Sequence, residues 1–191
     1  LKKKIFTDLP SILIALIPIF LITGPFLSDL SVSLVTIIFL YIVVKEKKYE
    51  YFNNSFFKIF IIFYLYLLIN SLVQNQNADS LRISFFYFRF GVFSISLMYF
   101  LNEDKKLLKY IYYSIIFCFV ILIIDGLFQF FLKKNLLGFE IAKTDSGVPL
   151  PRISSFFGDE MILGSYLSRL FPIFFGLFLW FNNSKKNFYF F

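Results

Sequence analysis

The 191-residue sequence contains no histidine and only one cysteine, and charged residues make up only 16% of it. The absence of histidine removes the commonest metal ligand and the usual proton shuttle at neutral pH. A single cysteine, Cys118, excludes an internal disulfide. So few charged residues cannot cover the surface of a water-soluble domain of this length. The sequence also has no zinc-ligand spacing, no phosphate-binding glycine loop and no nucleophile motif.

Apolar residues dominate instead, with 59% hydrophobic residues, 31 phenylalanines and a mean hydropathy of +0.76. Several apolar runs approach the roughly 20 residues that a helix needs to cross a bilayer. They predict an all-α fold, a polytopic transmembrane helix bundle with six membrane segments and the start of a seventh. The six segments are Leu9–Leu27, Leu30–Val44, Phe56–Val73, Leu81–Leu101, Leu107–Leu132 and Met161–Phe181.

We expect residues 1–191 to form one transmembrane domain of a longer protein, because the chain begins at Leu1 and ends within an apolar run that starts near Asn187. The net charge of +7 comes from lysines in short clusters between the apolar runs. This pattern is typical of membrane topology signals rather than of a nucleic-acid-binding patch.

The basic residues also predict an orientation. If the amino terminus is cytoplasmic, twelve of the nineteen basic residues lie on the inner side and five on the outer side. Such an excess follows the positive-inside rule, so the loop 133–160 is predicted to face outward. The remaining two basic residues, Arg89 and Arg169, fall within membrane segments.

Three ionisable residues are predicted at a similar depth in the outer half of the membrane. At 1.5 Å per residue, Arg89 and Asp125 lie about 10 Å, and Arg169 about 12 Å, from the outer ends of their segments. Gln129 follows Asp125 by four residues and therefore shares its helix face.

The charges of these residues leave two interpretations open. In the first interpretation, Asp125 neutralises Arg89 or Arg169 in a structural ion pair within the membrane. Alternatively, two arginines and one aspartate leave a positive excess that an anionic ligand would compensate. Because the planar guanidinium group suits phosphate and carboxylate oxygens, the second interpretation predicts an outward cavity for a diphosphate or an acidic head group.

The stretch Pro151–Pro172, PRISSFFGDEMILGSYLSRLFP, carries the densest group of candidate residues. Arg152 precedes Asp159 and Glu160, which stand at the start of the sixth segment. Interaction with the helix dipole explains both carboxylates adequately, and a catalytic carboxylate is the alternative.

Together with the preceding IDGLFQFFLKKNLLGFE (Ile124–Glu140), this stretch resembles the middle of bacterial O-antigen polymerases and O-antigen ligases. In that family, a membrane segment ends in an Asp-x-x-x-Gln element, and an outward loop then carries an arginine before a Phe-Gly turn into the next helix. The resemblance covers about fifty residues directly. The matching positions are Asp125, Gln129, Arg152, Phe157, Gly158, Asp159, Glu160 and Gly164.

The resemblance implies a glycosyltransferase in the bacterial inner membrane, with the loop 133–160 in the periplasm. Such enzymes transfer a glycan from an undecaprenyl diphosphate carrier to another glycan or to a lipid A-core acceptor, without a metal or nucleotide cofactor and without a nucleic-acid partner. The family also has a later outward loop with functional arginine and histidine residues, which has no counterpart in this sequence. Whether the protein is a polymerase or a ligase is left open.

Combining the resemblance with the charges, we assign candidate roles to individual residues. The candidate catalytic residues are Arg169, Arg152, Glu160 and Asp159. The candidate substrate-binding residues are Arg89, Arg169, Asp125 and Gln129, with Asp125 orienting an arginine. Two other functions stay open: a transporter or flippase for lipid-linked saccharides, which discontinuous helices would suit, and a non-catalytic membrane scaffold.

Overall fold

The computed structural model describes residues 2–74, 78–140, 153–158, 160 and 162–188. These residues form seven α-helices. The helices are α1 (Lys2–Thr23), α2 (Pro25–Glu46), α3 (Ser55–Gln74), α4 (Ala78–Phe86), α5 (Phe88–Glu103), α6 (Leu107–Leu132) and α7 (Leu163–Phe188). Short 3₁₀ turns at Tyr49–Phe52 and Ser155–Phe157 lie in the connections.

Five spans in the described part of the chain are long and apolar enough to cross a membrane. They are Pro25–Glu46, Ser55–Val73, Asp79–Glu103, Leu107–Leu132 and Leu163–Asn182. The apolar helix Asp8–Thr23 is shorter than these spans. The prediction of an all-helical membrane protein is therefore confirmed, whereas the predicted number of six complete segments is not.

The distribution of side chains over the surface agrees with a lipid environment. Val73 and Phe131 are 74% and 73% exposed, whereas Asp125 and Gln129 are completely buried. In water, so many exposed large apolar side chains would indicate a surface that binds a protein or a membrane. In a bilayer, lipid tails cover them, and polar groups are satisfied inside the protein.

The first helical boundary differs from its prediction. The sequence predicts a turn at Ser28–Asp29, but both residues lie in α2, and the break falls at Gly24. Gly24 has a φ of +127°, a value that other residues rarely adopt, and Pro25 is the first residue of α2. A proline at the first helical position lacks only an N–H that would have no intrahelical partner. This shift places Asp29 one turn inside α2.

The predicted fourth segment is two helices. α4 and α5 are separated by Tyr87, whose N–H bonds to the Ser84 carbonyl at 3.2 Å. The N–H of Phe90 in turn bonds to the Tyr87 carbonyl at 3.1 Å. Bonds between residues three apart are of the 3₁₀ type and tighten the chain locally. The break lies two residues before Arg89.

The last predicted boundary also differs. The polar stretch Asn182–Asn187 was predicted to separate the sixth and seventh segments, but α7 continues through it to Phe188. Nothing in that stretch is a proline or a glycine, so no residue there strongly opposes the helix. The residues after Phe188, where the seventh segment was predicted to continue, lie outside the described residues.

The chain divides into two compact units. The first unit comprises Leu1–Ile14 and Ser28–Leu107, and the second comprises Ala15–Leu27 and Leu108–Phe191. The core of the first unit joins α2 and α5: Phe39 and Tyr99 are buried, and their ring centroids lie 5.5 Å apart. That all 191 residues form one transmembrane domain stays a prediction.

In the second unit, α6 and α7 pack through aromatic side chains. The Phe174 ring of α7 lies 5.8 Å from that of Tyr112 and 5.5 Å from that of Phe119, between centroids. Tyr166 of α7 contacts Phe157 and donates a hydrogen bond to the Pro18 carbonyl. These contacts hold the first half of α7 within its unit.

Lys48 joins the ends of two helices in the first unit. Its Nζ lies 3.0 Å from Glu46 Oε2 and 3.3 Å from Glu103 Oε1, and it donates a hydrogen bond to Tyr99 Oη. The bond to Glu46 is the main cause that raises the pKa of Lys48 above its ordinary value. The Lys48 ammonium group thus tethers the end of α2 to the end of α5.

We expect Gly91→Leu to weaken the packing of α5 on α3. A Cβ atom at Gly91 would lie 2.1 Å from Phe60 Cε1, far inside van der Waals contact. Overpacking of this kind typically lowers the free energy of unfolding by about 1–3 kcal/mol. Thermal unfolding in detergent measures the effect. Gly176→Leu is the matched control, because nothing lies within 4 Å of a Cβ there. Equal midpoints for the two variants would contradict the expectation.

Candidate functional site

The end of α6 carries two buried polar side chains that bind the following loop. Asp125 is completely buried, and its two carboxylate oxygens accept separate hydrogen bonds. Oδ1 accepts one from the backbone N–H of Leu136 at 2.7 Å, and Oδ2 accepts one from Ser155 Oγ at 2.5 Å. The Asp125 carboxylate thus joins Leu136, shortly after α6, to Ser155, which lies thirty positions after Asp125 in the chain.

Gln129 reinforces the same connection from the next helical turn. Its Oε1 accepts hydrogen bonds from the N–H groups of Ser154 at 3.1 Å and Ser155 at 2.7 Å. Its Nε2 donates to Ser154 Oγ at 3.4 Å. Because Asp125 and Gln129 both bind Ser155, they lie on one face of α6, as their spacing of four residues predicts.

Asn135 completes the arrangement and was not identified from the sequence. Its Nδ2 donates to the Ser155 carbonyl at 3.1 Å. Its Oδ1 accepts hydrogen bonds from the N–H groups of Leu137 at 3.1 Å and Phe139 at 2.8 Å. Asparagine commonly binds nearby backbone groups in turns. The position of Asn135 directly after Lys133 and Lys134 could therefore have indicated its role from the sequence. We call Asp125, Gln129, Asn135, Ser154 and Ser155 the loop clasp.

Close packing surrounds the loop clasp. A Cβ atom at Gly126 would lie 3.4 Å from Leu163 Cδ2 and 3.8 Å from Ile153 Cγ2. These distances are ordinary van der Waals contacts, so a methyl group at this position would touch the start of α7 and the loop without displacing them. With its hydrogen bonds satisfied, the loop clasp stabilises a buried loop attachment, since buried polar groups cost free energy only when unpaired.

This geometry corrects the role expected of Asp125. The sequence predicted that Asp125 would neutralise or orient an arginine, but the partners of its oxygens are Leu136 and Ser155. Within the described residues, no arginine is paired with it. Near the end of α6, the Asp125 carboxylate meets the loop that follows, and the Leu136 N–H and the Ser155 hydroxyl take up its two oxygens.

The other candidate residues of the second unit differ in position. Arg169 is exposed on α7 and makes no hydrogen bond or ion pair with any residue that the structure describes. Glu160 is also exposed, and its N–H bonds to the Phe157 carbonyl at 3.1 Å. Arg152 and Asp159 lie outside the described residues.

Arg89 belongs to the first unit and has a different partner from those predicted. Its Nη2 lies 2.7 Å from Asp29 Oδ2, and its guanidinium carbon lies 5.0 Å from the centre of the Phe90 ring. From the sequence, Asp125 was the one acidic partner expected for Arg89 or Arg169. Asp29 was missed because it was assigned to a turn outside the membrane segments. That Arg89, Asp125 and Arg169 share one level and one cavity stays a prediction, because they lie in two separately described units.

An open pocket of about 580 Å³ adjoins the Arg89–Asp29 pair in the first unit. Two acidic and two basic side chains line it, together with apolar and aromatic ones from both sides of the α4–α5 break. We call it the polar pocket. Its charged residues are Asp29, Asp79, Arg82 and Arg89.

Comparisons with protein-family models, with curated proteins and with solved structures found no match. The apolar helices and the buried polar face of α6 define the class: an all-helical protein embedded in a membrane.

Proposed function

We propose that the chain is part of a membrane glycosyltransferase of the O-antigen polymerase and ligase type. It transfers a glycan from an undecaprenyl diphosphate carrier to a glycan or lipid A-core acceptor, on the periplasmic face of the bacterial inner membrane. The observation that carries the proposal is the loop clasp. Asp125 and Gln129, two of the eight positions that carry the resemblance, hold Ser154 and Ser155 by four hydrogen bonds.

The loop clasp supports this function because of where it holds the chain. Ser154 and Ser155 stand between Arg152 and the Phe157–Gly158 turn, which leads to Glu160 and α7. A fixed attachment at this point restricts the position of residues 153–158. Positioning of this kind lowers a reaction barrier because less ordering is needed in the transition state.

The proposed reaction moves one glycosyl group between two oxygens. A hydroxyl oxygen of the acceptor attacks the anomeric carbon of the carrier-linked sugar and forms the new C–O bond. The bond from that carbon to the diphosphate breaks, and its electron pair stays on the diphosphate oxygen. The hydroxyl proton passes to a base, for which Glu160 and Asp159 are the candidates.

Arg169 is the strongest candidate for stabilising the leaving diphosphate. It is an arginine on a membrane span and is unpaired within the described part of the chain. An unpaired guanidinium in a membrane segment is costly unless an anion compensates it. Arg152 stays a candidate for the mouth of the site. Arg89 is less suited to this role, because Asp29 already compensates its charge.

A transporter or flippase of lipid-linked saccharides is the second candidate function. The change from α-helical to 3₁₀-type hydrogen bonds at Tyr87, within the span Asp79–Glu103, favours it, because transporters often bind their substrates where a membrane helix is irregular. Both functions use the same carrier, so the fate of the glycosidic bond distinguishes them.

Vesicles that contain the protein, supplied with an undecaprenyl diphosphate-linked oligosaccharide and an acceptor, test the proposal directly. We expect free undecaprenyl diphosphate and a longer glycan to appear together, in equal amounts, only when the protein is present. Movement of intact carrier-linked glycan across the bilayer, without release of the diphosphate, would instead identify a transporter. Neither reaction, with the protein folded, would favour a scaffold.

A further inference from the structure

Among the residues that the structure describes, those that line the polar pocket have balanced charge. Asp29 and Asp79 contribute two carboxylates, and Arg82 and Arg89 contribute two guanidinium groups. A diphosphate would meet both carboxylates as well as both arginines, so the pocket is not selective for a purely anionic group. A ligand with one positive and one negative group would complement it better.

The two charged residues on α4 make no ion pair in the described part of the chain and can therefore bind such a ligand. Asp79 and Arg82 are exposed, and they lie three residues apart on α4, so they project from one face. Neither makes an ion pair with another described residue. Arg89, by contrast, already contacts Asp29, but its Nε is buried and has no acceptor within the described part of the chain.

The pocket also lies near the ends of membrane spans. Asp79 is the first residue of the span Asp79–Glu103, and Asp29 is the fifth residue of α2, about 6 Å from its start. The ends of membrane helices lie at the level of lipid head groups. Phe86 and Tyr87 line the pocket beside these charges, and aromatic rings are typical of that level.

We propose that the polar pocket binds the head group of a zwitterionic phospholipid. Its phosphate contacts Arg82, and its primary ammonium group contacts Asp79. Arginine forms short, charge-assisted hydrogen bonds with phosphate oxygens, and a carboxylate does so with an ammonium group. The volume of about 580 Å³ falls among typical ligand sites of about 300–1,000 Å³. Ile83 and Phe86 then face the upper part of the acyl chains.

Native mass spectrometry of the purified protein, with equal amounts of phosphatidylethanolamine and phosphatidylglycerol, tests the proposal. The two lipids share the phosphate, but only the first has an ammonium group. We expect the wild-type protein to retain phosphatidylethanolamine about tenfold more than phosphatidylglycerol. Asp79→Asn should abolish this preference, and Arg82→Gln should weaken the binding of both lipids.

The variants can be interpreted because Asp79 and Arg82 are exposed, so their replacement has little effect on stability. Lys105→Gln, an exposed basic residue beyond the opposite end of the same span, is the matched control and should bind as the wild type does. A wild-type preference for phosphatidylglycerol, or an unchanged preference in Asp79→Asn, would overturn the proposal. The measurement is independent of glycan transfer and therefore of the proposed function.

Discussion

Replacing Gln129 by leucine is expected to detach the Ser154–Ser155 segment from α6 and to destabilise the second unit. The substitution keeps the approximate volume but removes the acceptor for two backbone N–H groups and the donor to Ser154 Oγ. Buried polar groups left without partners cost about 1–3 kcal/mol each. Because the loop would partly relax into the head-group region, we expect a total loss of about 2–5 kcal/mol.

Two measurements check this expectation. The thermal unfolding midpoint in detergent should fall, and the amide hydrogens of Ser154 and Ser155 should exchange much faster than in the wild type. Asn102→Leu is the control, because it removes an exposed amide side chain from α5. Unchanged exchange at both serines would show that Gln129 does not hold the loop.

Two replacements of Asp125 distinguish between its hydrogen bonds in the loop clasp and the ion pair with an arginine that the sequence suggested. Asparagine can still accept a hydrogen bond from the Leu136 N–H and donate one to Ser155 Oγ, so Asp125→Asn should retain most of the stability. Asp125→Leu should lose it, since it leaves both groups without a partner. If the negative charge were the essential feature, both variants would be equally damaging.

The second large effect is expected at Arg169, where alanine should reduce glycan transfer by about 10²–10³-fold. This is the typical consequence of removing one group that stabilises charge in a transition state. Arg169→Lys should restore only part of the activity, because an ammonium group cannot contact two phosphate oxygens in the planar geometry of arginine. The length distribution of surface glycans, in cells that produce each variant instead of the wild type, measures the effect.

Stability supplies the control for this prediction. Arg169 is exposed and has no partner among the described residues, so alanine should not lower the unfolding midpoint or the amount of protein in the membrane. Lys109→Ala removes another exposed basic side chain, at the opposite end of α6 from the loop clasp, and should leave the glycans normal. Normal glycans from the Arg169→Ala variant would count heavily against the transferase proposal.

The long apolar helices could be predicted closely from the sequence. The prediction Leu107–Leu132 coincides with α6, and Phe56–Val73 differs from α3 by one residue at each end. In these segments, polar residues mark both ends of an uninterrupted apolar run, and backbone groups in a membrane have to bond within the helix. The boundary near Gly24 was misplaced, because the Ser-Asp pair was given more weight than the Gly-Pro pair.

The candidate site could be predicted only in part. The spacing of Asp125 and Gln129 predicted their common face, but not their partners, because Ser154 and Ser155 come from a loop more than twenty residues away. For the same reason, Asp29 could not be matched with Arg89 across sixty residues of chain. The sequence showed which charged residues in membrane segments need a partner, but not which residue is the partner of each.

The sequence by itself determined that the chain is helical and lies in a membrane, because both properties depend on the composition and length of each apolar segment alone. Only the tertiary structure decided that Asp125 binds a returning loop and that Arg89 binds Asp29. Such pairings depend on which helix ends and loops meet in space, and hydrogen bonds of 2.5–3.4 Å form only between groups that the fold has already brought together.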